Sequence, residues 1–276
     1  MPELPEVETV VRGIRPGLVG NTITRLELLH PRVYRHSDPN VLRCIVEGAT
    51  IQDVTRRGKF ILLHLDGNRP PLAIHLRMSG KLLFDDSALH SPHLRASVYL
   101  DEGPALHFVD TRTFGTFFLV DGTEPNGFRT LGPEPLSSQF TRAEFARILG
   151  ASRTPIKTYL LMQDKIAGIG NIYASEALWM ARVSPKLPAG TLNDEQISHL
   201  HRAIRKVLRD AVKQMGTTFS DFRRPGGQPG EYGNNLHVYG RAGETCPRCR
   251  QPIERMVQHG RSTFFCPKCQ RGPRRD

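Results

Sequence analysis

Nowhere in the 276 residues is there an apolar run approaching the ~18–20 residues that a membrane-spanning helix needs. The amino-terminal stretch also lacks the basic residues that open a signal peptide and carries Glu3, Glu6 and Glu8 instead. Cysteine is scarce until the end of the chain: of five, only Cys44 precedes position 246. A disulfide framework spread over the fold is therefore excluded, and the pattern suits a cytoplasmic, reducing compartment. Cys44 is expected to be an ordinary buried cysteine. Acidic charge is in deficit as well, 27 Asp and Glu against 38 Lys and Arg, for a formal net charge of +11. A field of that sign and size draws polyanions and is screened by salt.

What is present falls into blocks. Val7, Val10, Val11, Ile14 and Leu18 recur at helical spacing, so about Pro5 to Leu18 reads as an amphipathic helix with Pro16 as a kink or stop. From Thr22 to Val120 the chain turns to short apolar runs broken by Gly, Pro, Asp and Asn: TITRLELL, TIQDV, KFILLHL, PLAIHL, KLLF, ASVYL, ALHFV and FGTFFLV. These predict a β-sandwich or flattened barrel. Residues 121–138 have the composition of a linker. Helical periodicity follows: Thr141 with Glu144 as a capping box and Gly150 as a stop, a second helix from Pro155 to Leu161, and a third capped by Asn171. A long fourth helix runs from near Asn193, with Ile197 through Met215 on one face, to Gly216. The Gly/Pro-rich segment 217–240 is too long for a simple connector. The expected class is α+β, with a β-sandwich domain and flanking helix over 1–120, a linker over 121–138, a helical domain over 139–240 and a final module over 241–276.

That module holds the strongest spacing in the chain, Cys246-Pro-Arg-Cys249 and then Cys266-Pro-Lys-Cys269. Two Cys-x2-Cys pairs present four thiolates from two tight turns, the arrangement of a closed structural Zn2+ site that folds a module and leaves no position open for catalysis. Nine Lys and Arg against three Asp and Glu over 241–276 make the module a cationic hairpin suited to phosphates.

At the other end stands MPELPEVET. Removal of Met1 would expose the secondary amine of Pro2, a nucleophile, beside the carboxylates of Glu3 and Glu6. Pro-Glu-x-Pro-Glu also starts a helix with no chemistry at all. The residues alone leave both open.

MPELPEVETV, GIGNIYASEAL and VYGR with the four-cysteine finger, in this order, resemble the formamidopyrimidine-DNA glycosylase family of bacterial base-excision repair, over essentially the whole chain. The sister family, endonuclease VIII, typically opens Pro-Glu-Gly-Pro-Glu, where this chain has Leu4. The resemblance implies a helix-two-turn-helix in the helical domain and a monomer acting on double-stranded DNA that contains oxidised bases or abasic sites. It implies Pro2 as the nucleophile at the sugar C1′, Glu3 as the acid that protonates the opening ring, Glu6 as a supporting carboxylate and Lys59 in β-elimination. The finger's Arg261 would clamp the lesion phosphates and act as the acid in δ-elimination. Asn171 is similar to a phosphate-gripping residue, with Lys157, Arg153 and His93 as further contacts.

Met78, Arg112 and Phe114 resemble the family residues that fill the gap left by a flipped nucleotide. Met and Phe are equally common in cores, so their types do not decide the matter. Here the chain departs from the commoner family texts HLGMSG and DPRRFG: Arg77 replaces a glycine, and Thr111 and Thr113 replace proline and arginine. The resemblance thus implies a bifunctional glycosylase and lyase for oxidised purines, located in the bacterial cytoplasm at the nucleoid. Its rivals are a preference for oxidised pyrimidines, to be decided in the lesion-facing loop 217–231, and a non-enzymatic zinc-dependent DNA-binding protein, which would not need Pro2, Glu3 and Lys59.

Overall fold

The computed structural model describes residues 1–218, 228 and 230–271. By packing, the chain divides into one unit of Met1–Arg129 with Gln214–Glu231 and a second of Thr130–Lys213 with Tyr232–Asp276. Among the described residues, no helix is long and apolar enough to cross a membrane.

In the first unit α1 (Leu4–Leu18) buries Val7, Val10, Val11, Ile14 and Leu18. Pro16 sits inside its last turn, and the helix runs on to Leu18 before the Val19 amide returns to the Arg15 carbonyl. The eight apolar runs all form strands: β1 (Ile23–Leu28), β2 (Ile51–Arg57), β3 (Phe60–Leu65), β4 (Leu72–His75), β5 (Lys81–Leu83), β6 (Leu94–Leu100), β7 (Leu106–Val109) and β8 (Thr116–Leu119). They pair antiparallel in two four-stranded sheets, ordered β1-β6-β7-β5 and β2-β3-β4-β8. Leu26, Ile61, Leu63, Ile74, Phe108 and Phe117 from both sheets join the apolar face of α1 in one core. Burying those faces is the main stabilising term, at about 1.5–3 kcal/mol per large side chain.

One α-helix interrupts the strands of the β-region. Helix α2 (Pro39–Val46) is started by the Asp38 carboxylate, which accepts the Asn40 amide at 2.7 Å, and by Pro39 in the first turn. It buries only Leu42 and Val46, one turn apart. Cys44 therefore lies on the outer side and is exposed, contrary to the expectation of a buried thiol. Helix α3 (Asn126–Arg129) follows β8, and Phe128 packs edge-on to Phe60 and Phe118.

The second unit contains α4 (Arg142–Leu149), α5 (Ile156–Leu160), α6 (Asn171–Ala181) and α7 (Asp194–Lys213). The Thr141 hydroxyl accepts the Glu144 amide at the start of α4, and Gly150 ends it at φ +48°. Helix α7 stops at Lys213, two residues before the expected Met215, which lies at φ +58° and cannot continue a right-handed helix. Arg205 donates to the carbonyls of Pro135 at 2.9 Å and Ser137 at 2.7 Å, fastening the approach to α4 against α7. The hairpin β9 (Glu254–Gln258) and β10 (Arg261–Phe265) packs its second strand on α6.

Candidate active site and metal centre

Pro2 is buried immediately ahead of α1, and Glu3 and Glu6 are buried as well, at 4% and 2% exposure. The two carboxylates are tied to the helix start by a capping box, in which Glu6 accepts the Glu3 amide at 2.9 Å. The other oxygen of Glu6 accepts the Thr217 amide at 2.7 Å. Gly216 makes that approach possible: its φ is +76°, and a Cβ there would lie 2.9 Å from the Glu6 carboxylate. Glu6 thus holds the beginning of α1 and the segment after α7 at one point.

Lys59 follows Gly58 in the turn between β2 and β3 and is 4% exposed, not the solvated lysine usual on strands. Arg56 links this turn to α1: its Nε meets the Glu8 carboxylate at 3.3 Å, and its Nη1 donates to the Gly58 carbonyl at 2.9 Å. The same region holds His75 at the end of β4, packed edge-on to Phe60 with centroids 4.4 Å apart. Its Nδ1 accepts the Arg77 amide at 2.9 Å. Burial, reinforced by the charges of Arg77 and Lys59, pushes its pKa well below the ordinary 6.5, so the ring is neutral.

Met78, Arg112 and Phe114 lie on two neighbouring turns of this unit and all face outward, Met78 and Phe114 at 44% exposure each. Arg112 Nη1 lies 3.4 Å from Met78 Sδ. For Met and Phe that exposure argues against core packing and for surfaces awaiting a partner. His93 is close by in the fold, since its carbonyl accepts the Asp110 amide and its ring meets Arg95 at 3.3 Å.

In the second unit three predicted contacts gather at the hairpin. Arg261 is exposed at the start of β10, after a turn in which His259 and Gly260 have φ of +47° and +73°. The carbonyl of the next residue, Ser262, accepts from Asn171 Nδ2 at 2.9 Å and from Lys157 Nζ at 3.3 Å. Lys157 is fully buried, so its charge stands behind the hairpin. Asn171 is the first residue of α6, not its cap; Gly170 takes that position in extended conformation. Freed from capping, the Asn171 amide reaches Ser262 and, at 3.4 Å, the Tyr239 hydroxyl, while its Oδ1 is enclosed with no partner among the described residues. Arg153 is exposed ahead of α5 and joins none of these contacts.

The four cysteine sulfurs lie within 4.8 Å of one another, with Cys246 to Cys269 at 3.9 Å and Cys249 to Cys266 at 3.3 Å. A tetrahedron of Zn–S bonds of about 2.3 Å has edges of about 3.8 Å, so the set fits one zinc ion. Burial pushes the Cys269 thiol up to about 12, and four thiolates at this spacing require a cation among them. The chain's one tryptophan braces the site: Trp179 Nε1 donates to Cys246 Sγ at 3.5 Å. Its ring lies between His237, stacked at 4.2 Å, and the Arg248 guanidinium at 4.1 Å. Arg248 also donates to the Trp179 carbonyl at 3.0 Å and so links the module to α6.

Sequence reasoning missed two organising carboxylates. Asp110, fully buried, accepts the amides of Phe114 and Gly115 at 2.8 Å each. Glu176, 1% exposed, accepts the amides of His237, Val238 and Tyr239 at 2.9 Å each. The signal for Asp110 was its place in DTRTFG; Glu176 had none, because its partners lie about sixty residues away. Of the expected lesion-facing loop, residues 219–227 and 229 lie outside the described residues.

Comparison with known proteins gives matches along nearly the whole chain. Residues 1–117 match the sequence model of the formamidopyrimidine-DNA glycosylase N-terminal domain, 131–223 that of the formamidopyrimidine-DNA glycosylase H2TH domain, and 243–272 that of the zinc finger found in FPG and IleRS. The chain is 48% identical to the formamidopyrimidine-DNA glycosylase of Chloroflexus aggregans over 98% of each chain, and 45% identical to that of Thermus thermophilus over the same shares. The crystal structure of MutM (FPG) from Thermus thermophilus superposes with a TM-score of 0.88 at 44% identity, covering 99% of this chain and all of that one. MutM in complex with DNA containing carbocyclic 8-oxo-G gives 0.86 at 36% identity over 98% of this chain and all of that one. The complex of Lactococcus lactis Fpg with DNA containing an abasic site gives 0.85 at 35%, with the same coverage.

Proposed function

The chain belongs to the formamidopyrimidine-DNA glycosylase family and is a DNA glycosylase of DNA repair, and from that premise we propose that it excises oxidised purines and then cleaves the strand as a lyase. The observation that carries the proposal is the burial of Pro2, Glu3 and Lys59 within one unit, because binding to DNA alone would need none of them. The related MutM and Fpg chains bound to DNA carrying 8-oxo-G, Fapy-dG and abasic sites support the choice of substrate. Leu4, in place of the glycine typical of endonuclease VIII, favours purines over pyrimidines.

With Met1 removed, the unprotonated Pro2 amine attacks C1′, the glycosidic bond breaks, and its electron pair leaves with the base. The Pro2 nitrogen gives up its proton to the departing base, Glu3 protonates the ring oxygen as the sugar opens, and an iminium ion is left between Pro2 and C1′. That ion draws electrons from C2′, whose proton passes to a base, the role assigned to Lys59, as the 3′-phosphate departs. Arg261 assists the second departure, of the 5′-phosphate. Glu6 fixes the amide of Glu3 and so the attitude of the nucleophile. Met78, Arg112 and Phe114 fill the space of the flipped nucleotide, with Arg112 hydrogen-bonding the widowed base. Zinc, when bound, supplies folding energy to the hairpin that presents Arg261.

Borohydride added to the protein with 8-oxoguanine duplex traps the iminium ion as a covalent adduct. The adduct is expected with wild-type protein and absent from Pro2→Gly or from protein that retains Met1. A wild type that forms none, or that excises an oxidised thymine faster than 8-oxoguanine, overturns the proposal.

A further inference from the structure

Arg77 takes no part in the chemistry proposed above. It adopts φ +54°, a conformation that favours glycine, and its amide is fixed on His75. Its side chain is half-buried, and Nε is enclosed with no acceptor among the described residues. A second guanidinium of the same region, Arg35, donates to the Phe114 carbonyl at 3.4 Å and approaches His36 Nε2 at 3.3 Å. Burial first and Arg35 second lower the proton affinity of Arg77, and burial followed by the two arginines lowers that of His36. Among the described residues neither arginine has a carboxylate partner.

Two like charges held together, one partly desolvated and on a backbone that glycine would relax, are costly unless an anion joins them. The place of the pair says which anion. Arg77 immediately precedes Met78, and Arg35 is bonded to the backbone of Phe114, so the pair stands at the root of the two exposed apolar side chains. Guanidinium forks match phosphate oxygens better than any other side chain does. We propose that Arg77 and Arg35 jointly clamp one backbone phosphate of bound DNA beside Met78 and Phe114. This rests on the DNA-glycosylase reading; the clamp is the part that this chain's own arginine at 77 adds.

The test is the salt dependence of binding to a duplex carrying a non-cleavable abasic-site analogue, measured for wild type, Arg77→Gly, Arg77→Lys, Arg35→Gln and the Arg35→Gln/Arg77→Gly pair. Glycine suits the backbone at 77, so folding is retained, and an unchanged or raised melting temperature verifies it. Arg77→Gly is expected to flatten the log–log slope by about 0.9, and the affinity gained between 200 and 50 mM salt falls about threefold. Lysine restores the slope, and the double variant loses no more than either single one, because one phosphate is shared. An unchanged slope in Arg77→Gly, or losses that add in the double variant, overturns the clamp while the glycosylase reading stands. A wild type that does not prefer the abasic-analogue duplex over an undamaged one overturns both.

Discussion

The Ser79 hydroxyl donates to the buried Asp110 carboxylate, on the same oxygen that accepts the Arg112 amide at 3.2 Å. The other carboxylate oxygen takes the amides of Phe114 and Gly115. One side chain thus fixes the turn that follows Met78 and the turn that carries Arg112 and Phe114. Gly115 lets the second turn close, since a Cβ there would lie 2.2 Å from the Phe108 ring. Arg95 secures the far side by donating to the Asp110 carbonyl at 3.1 Å and the Thr113 hydroxyl at 3.0 Å. Thr113, which stands where the commoner family text has arginine, is buried in that contact at φ +55°.

Asp110→Ala is therefore expected to destabilise the protein by about 2–4 kcal/mol, because several amides lose a charged acceptor at once. That corresponds to a fall in melting temperature of roughly 5–10 °C for a chain of this size. Asp110→Asn, which keeps one acceptor oxygen, should lie between. A melt of Asp110→Ala within 1 °C or so of wild type would show that the turns hold themselves.

Metal analysis should return one zinc per chain, removable by a strong chelator. Trp179 touches Cys246 and is the only tryptophan, so its emission is expected to shift as the metal leaves and to return on readdition. Cys249→Ser should reproduce the stripped spectrum. Emission indifferent to chelation in a zinc-loaded protein would contradict the fit of the four sulfurs to the ion.

His75 gives a pH dependence whose sign is fixed. Its folded pKa is held well below 6.5 by burial and by Arg77 and Lys59, whereas the unfolded ring titrates near its ordinary value. Above that value both states are neutral and its contribution is complete. As pH falls from about 6.5 towards the folded pKa, the unfolded state takes up the proton first and stability drops, by at most about 1.4 kcal/mol per pH unit. His75→Asn keeps an acceptor for the Arg77 amide and removes the titration, so its melting temperature should fall less steeply between pH 6.5 and 5. His36 is common to both proteins and cancels in the difference. Parallel curves would mean that His75 is charged in the fold.

The strands and the long helix were legible because their apolar periods, two and about 3.6, persist over enough residues to outweigh local propensity. Helix α2 was not: eight residues with two buried positions leave no period, and only the Asp38-Pro39 start marks it. Exposure of Cys44 follows from that same short helix. Asn171 was displaced by one position because the glycine before it takes the extended cap conformation, which no residue type announces.

The sequence by itself determined the metal tetrad, whose cysteines stand at fixed spacing in the chain, and set Pro2, Glu3 and Glu6 side by side at the start of a helix. Only the tertiary structure decided what holds them. Glu6 meets Thr217 across 211 residues, Lys157 and Asn171 meet at the Ser262 carbonyl from 105 and 91 residues away, and Ser79 meets Asp110 across 31. A backbone carbonyl or amide accepts or donates in the same way whatever residue bears it, so such partners leave no mark in composition or period. They become visible when the strands and helices have packed and buried polar groups must find one another.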